Sequence, residues 1–142
     1  MTPDRLLCIT EDMKFEPLSA ITPIDGRYRA VSEPLSEYFS EFALIRARIR
    51  VEGECLLALS EEKELGIREL TAGEKKLLQD LWRISIEDAR IVKQIEKEGY
   101  EGIPATNHDV KAVEYFIKRK LAETSLANIS EFVHFAITSE DT

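Results

Sequence analysis

Three short polar segments hold the residues best suited to chemistry in this 142-residue chain. Asn107-His108-Asp109 and Thr138-Ser139-Glu140-Asp141 each stand where a helix would begin, and Asp25-Gly26-Arg27-Tyr28 sets a guanidinium and a phenol beside a glycine. Helix N-termini offer unpaired N–H groups and partial positive charge, which suit carboxylates or phosphates. An arginine fork suits the same anions. Each segment also has a plainer reading. Asn107 or Thr106 can simply cap its helix, and Thr138 and Ser139 can do the same; on pattern alone, capping is the commoner role. Arg27 can be a surface charge, and His134, between Val133 and Phe135, a histidine at the edge of a core.

Other chemistries find less support. The two histidines, His108 and His134, are 26 positions apart, so no H-x-x-x-H pair shares a helix face and a zinc site is not indicated. Read as a phosphohydrolase dyad, His108-Asp109 lacks the upstream histidine that such a site needs. No G-x-S-x-G elbow is present, and the six glycines form no phosphate-cradling loop. Cys8 and Cys55 have no metal-binding or framework spacing.

The segments around these residues read mostly as helices. Residues 1–30 form an extended arm with three of the five prolines (Pro3, Pro17, Pro23) and an Asp25-Gly26 turn signal. Ser32 and Pro34 mark a helix start, and apolar residues at three- and four-residue steps from Leu35 to Ala58 predict one helix over about 34–59. Thr71-Ala72-Gly73-Glu74 matches a capping box. The stripe after it predicts a second helix, about 40 Å long, running to Glu98 and stopped by Gly99. A loop over 99–106 leads to a third helix beginning at Asn107, with a short one expected over Ser130–Phe135 and another opening at Thr138. No alternating strand pattern of useful length appears. The expectation is an all-α domain over 31–142, truncated at the start of a further helix.

Composition narrows the partners. Twenty-seven acidic residues against 19 basic ones leave a net charge of −8, which argues against nucleic acid or an anionic membrane as the main partner. The longest uncharged runs are eight residues, far short of the roughly 20 that span a bilayer. No apolar signal core opens the chain, so a cytoplasmic location is expected.

Taken together, residues 21–28 (Ile-Thr-Pro-Ile-Asp-Gly-Arg-Tyr), 106–116 (Thr-Asn-His-Asp-Val-Lys-Ala-Val-Glu-Tyr-Phe) and 130–141 (Ser-Glu-Phe-Val-His-Phe-Ala-Ile-Thr-Ser-Glu-Asp) resemble the adenylosuccinate lyase family in order and spacing. The likeness is to the branch of the family common in bacteria and runs from about residue 17 to the end. It implies the helical N-terminal domain of a fumarase/aspartase-type fold, without most of the central long-helix bundle that builds the homotetramer. It also implies β-elimination without a cofactor or metal, releasing fumarate from adenylosuccinate to leave AMP. The same enzyme splits succinyl-aminoimidazole-carboxamide ribotide to its carboxamide ribotide and fumarate.

Carried over by position, Arg27 and Tyr28 match a nucleotide-binding pair, and Asn107, His108 and Asp109 a substrate-binding turn in which His108 has an assisting role. Thr138 and Ser139 match a pair that holds the succinyl portion, and His134 a histidine near the same pocket. Lys111 and Glu114 lie inside the motif but also suit a surface i,i+3 pair. The family's main general acid and base lie further along, so the fragment alone is expected to be inactive. A competing reading is a non-catalytic acidic helical interaction module, which would leave Arg27, His108 and Ser139 scattered. Another substrate within the same superfamily is disfavoured by the string from Asn107 to Phe116.

Overall fold

The computed structural model describes residues 16–142, so Cys8 and the first part of the arm lie outside the described residues. The chain divides into two compact units, Met1–Ser40 and Glu41–Thr142. No described helix is long and apolar enough to cross a membrane, and the described residues carry no strand beyond an isolated Tyr100–Ile103 bridge. The fold is all-α.

In the first unit, residues 16–28 are built from turns. Asp25 accepts the Thr22 N–H (2.9 Å) and hydroxyl (2.6 Å). Gly26 is required here for space rather than for a left-handed φ, since a Cβ would stand 2.7 Å from the Pro17 carbonyl oxygen. Two one-turn helices follow, α1 (Arg29–Ser32) and α2 (Ser36–Phe39), joined by a 3-10 turn over Glu33–Leu35 that carries Pro34 near its start. Ser32 caps nothing with its side chain, and its hydroxyl instead donates back to the Ile24 carbonyl (2.8 Å). The single helix expected over 34–59 is therefore interrupted. Ser40, at ψ 161°, is extended and ends α2.

The second unit opens with α3 (Glu41–Leu59), 19 residues and about 28 Å long. The helix expected from Thr71 to Glu98 is two helices, α4 (Ala72–Asp80) and α5 (Ile86–Lys97). The start of α4 is the capping box read from the sequence: Thr71 accepts the Glu74 N–H and Glu74 accepts the Thr71 N–H. The break comes from a second box, in which Ser85 and Asp88 exchange the same pair of bonds. That box starts a new helix where the apolar spacing runs on without interruption. Helix α5 ends as expected at Gly99 (φ +88°), whose N–H returns to the Gln94 carbonyl. Helix α6 (Asp109–Ala122) follows. The short helix expected over Ser130–Phe135 is instead a 3-10 segment at Ala127–Phe132, and the Thr138 signal opens a single 3-10 turn, Ser139–Asp141.

These helices bury one core. Ile45, Ile49 and Leu56 of α3 meet Leu78 of α4, Val92 and Ile95 of α5, and Phe116, Ile117 and Leu121 of α6. Gly53 lets α3 and α4 approach closely, because a Cβ there would sit 2.8 Å from the Leu78 carbonyl oxygen. Polar ties lock the ends. Arg68 grips Glu74 with both terminal nitrogens (2.9 and 2.5 Å), and Ser125, beyond α6, donates to the same carboxylate (2.5 Å). These donors, led by Arg68, hold the Glu74 carboxyl far below the usual carboxylate range.

Candidate functional site

Helix α3 is the ruler along which the polar segments of the second unit are set. Arg48 and Glu52 are one helical turn apart, which places both on one face about 6 Å apart along the axis. Each reaches a segment far away in sequence. Arg48 Nη1 donates to Asp109 Oδ2 (2.6 Å), 61 residues on. Glu52 accepts the His134 N–H at Oε2 (2.9 Å) and meets His134 Nδ1 at Oε1 (2.6 Å), 82 residues on. Cys55, at the next step of the same face, lies within the fields of Glu52 and Asp141. Burial, with those two carboxylates, pushes its thiol pKa up. Asp109 of the 107–109 turn and His134 are thereby tied to one face of α3.

The turn before α6 is held from two sides. The Thr106 and Asn107 N–H groups donate to the Ile95 and Glu96 carbonyls at the end of α5 (3.1 and 2.9 Å). Asn107 takes a left-handed φ of +50°, and His108 is the N-cap, its Nδ1 accepting the Lys111 N–H (3.3 Å). The cap is thus the histidine rather than Thr106 or Asn107. Arg48, opposed by burial and helped by the Val110 N–H, holds the Asp109 carboxyl below its ordinary value. The Lys111–Glu114 pair forms (2.7 Å), but Glu114 is buried and is also bound by Lys118 (3.2 Å), so it is not a surface pair. Burial raises the Glu114 carboxyl pKa, yet the two lysines outweigh it and the net shift is downward.

The second segment carries the same mark of backbone strain. His134 (φ +63°) and Ala136 (φ +61°) are both left-handed, a conformation few residues other than glycine adopt. With Asn107, three of the four non-glycine left-handed residues among those described fall in the candidate segments. Thr138 directs its N–H (2.7 Å) and hydroxyl (3.1 Å) to Asp141, and the Ser139 hydroxyl donates to Glu140 (3.1 Å). The two Thr138 bonds, led by the one from its N–H, keep the Asp141 carboxyl below its usual range.

Arg27 and Tyr28 belong to the first unit, where the guanidinium lies over the phenol ring at 4.7 Å from its centroid. Arg48 and Glu52 were not among the residues singled out from sequence. The available signal was a charge on each of two successive turns within an apolar stripe. Among the described residues, no group of three or more His, Cys, Asp or Glu is placed to hold a metal ion.

No family model matches the chain. Individual proteins do. Adenylosuccinate lyase from Dictyostelium discoideum is 45% identical over 139 residues, covering 93% of this chain and 28% of the relative. Those of Escherichia coli K12 and Haemophilus influenzae are 42% and 39% identical over 134 and 132 residues, each covering 91% of this chain and 27% of the relative. The chain is a relative of the adenylosuccinate lyases. It spans 27–28% of the length of these relatives, an extent that fits the N-terminal portion of an adenylosuccinate lyase.

Proposed function

We propose that this chain supplies part of the substrate pocket of an adenylosuccinate lyase, a cytoplasmic, homotetrameric fumarase/aspartase-type enzyme. The reaction is a β-elimination that releases fumarate from adenylosuccinate to leave AMP, and from succinyl-aminoimidazole-carboxamide ribotide to leave its carboxamide ribotide. A base removes a proton beside a carboxylate, charge gathers on that carboxylate, and an acid protonates the departing nitrogen. Fixed hydrogen-bond donors aimed at the growing charge are what such a step requires.

Each segment has a part in this scheme. Arg27 and Tyr28 bind the nucleotide. Asn107, His108 and Asp109 form the turn beside the reacting carbon, with His108 assisting. Thr138 and Ser139 hold the succinyl carboxylates, and His134 lies at the same pocket. The general acid and the general base come from chain outside these 142 residues. The observation that carries this reading is the pairing of Arg48 with Asp109 and of Glu52 with His134 on one face of α3. It draws together two strained polar segments that share no element.

Fumarate absorbance provides the test. The 142-residue chain alone releases none from adenylosuccinate. In a full-length lyase carrying these residues, Ser139→Ala lowers kcat/KM by about 10²-fold or more, the size seen when one donor to developing negative charge is removed. Enzyme-level turnover by the chain alone, or an unchanged rate in S139A, would defeat the proposal.

A further inference from the structure

Glu52 is a buried carboxylate that the reaction scheme does not use, with 1% of its surface exposed. Among the described residues, both of its oxygens are taken by one residue, His134. Ile49 and Leu56, on the adjacent turns of α3, are also buried, so the carboxylate sits in a packed wall. A carboxylate accepts hydrogen bonds and donates none, so a ring nitrogen 2.6 Å from it carries the hydrogen. The second tie, to the backbone N–H, holds His134 at its left-handed φ and fixes the ring's point of attachment.

We propose that Glu52 is a positioning residue for His134: it holds the imidazole as the Nδ1–H tautomer and leaves Nε2 as the nitrogen that meets the ligand. This rests on the reading of His134 as a pocket residue. No described residue hydrogen-bonds His134 Nε2, and the side chain keeps 22% of its surface exposed. His108 has the opposite arrangement. Its Nδ1 accepts the Lys111 N–H, so the neutral ring carries its hydrogen on Nε2. One histidine therefore offers a donor, suited to a carboxylate, and the other an acceptor, suited to an amine N–H.

The chain contains only these two histidines, so one spectrum reads both tautomers. In the 15N-labelled chain, above the pH at which the imidazoles are charged, long-range proton–nitrogen correlation should show His134 with hydrogen on Nδ1 and His108 with hydrogen on Nε2. Hydrogen on His134 Nε2 in the unaltered chain overturns the proposal, and no variant has to fold for that result. In Glu52→Gln the amide can donate to Nδ1, and His134 should switch to Nε2–H; an unchanged tautomer also overturns it.

In a full-length lyase carrying these residues, E52Q should lower kcat/KM by about 10- to 100-fold, the range met when a carboxylate that orients a metal-bound histidine is altered. The E52Q/H134Q double variant should then be no worse than H134Q, whereas additive losses contradict action through His134. Full activity in H134Q would remove His134 from the pocket and defeat the underlying reading, an outcome separable from the tautomer result.

Discussion

Asp88 offers a test of the fold in which both size and sign come from the structure. It occupies the third position of α5, accepting the Ser85 N–H (2.9 Å) and hydroxyl (2.7 Å), and it meets Lys120 of α6 at 2.7 Å. The carboxylate is largely shielded, with 19% of its side chain exposed. Burial pushes its pKa up, but Lys120 and the two Ser85 donors outweigh burial and bring it from 3.8 down to about 2. A fall of that size corresponds to about 2 kcal/mol of folding stability. Because the folded pKa is depressed, this stability is fully present above pH 3.8 and is lost as pH falls through about 2.

Asp88→Asn keeps the shape and one acceptor while removing the charge. Urea unfolding followed by circular dichroism should show D88N less stable by about 2 kcal/mol at pH 7. The gap should begin to close near pH 4 and be small at pH 2. A gap equal at pH 7 and pH 2, or none at pH 7, would exclude a charge-based role for Asp88, since a purely steric effect does not titrate.

Two further substitutions probe the packing that supports α3. Gly53→Ala should destabilise the second unit by about 1–3 kcal/mol despite alanine's better helix propensity, because its Cβ must push the Leu78 carbonyl away; thermal melting reads this, and an unchanged or raised midpoint contradicts it. Phe116→Ala empties a site with 0% exposure at the meeting of the core helices and should cost about 3–5 kcal/mol in chemical denaturation, with a loss under 1 kcal/mol contradicting that placement.

Short-range signals were legible in the sequence. The Thr71–Glu74 box and the Gly99 stop depend on atoms a few residues apart, and both are present. Helix continuity was not. Apolar spacing records which face of a segment is buried, and it carries on through Ser40 and through residues 81–85 although the backbone does not. The second break had a readable cause in Ser85 and Asp88, a capping box with aspartate in the place of the usual glutamate.

The polar segments could be picked out one at a time, because helix starts have local signatures. What assembles two of them is Arg48 and Glu52, whose partners lie 61 and 82 residues further along. Within the apolar run of α3 these two charges read as solvated positions. Only the folded chain shows Glu52 fully buried and Arg48 turned against Asp109.

In the proposed pocket, the turn before α6 and the segment that follows His134 serve one ligand. The most direct measurement is the rate of fumarate release from adenylosuccinate by a full-length lyase carrying these residues, compared with its His108→Ala variant at equal helical content. In H108A, kcat/KM should fall by about 10²-fold or more, the order expected when a positioned acid–base or donor group is lost. An H108A enzyme that folds normally and releases fumarate at the parent rate would contradict it.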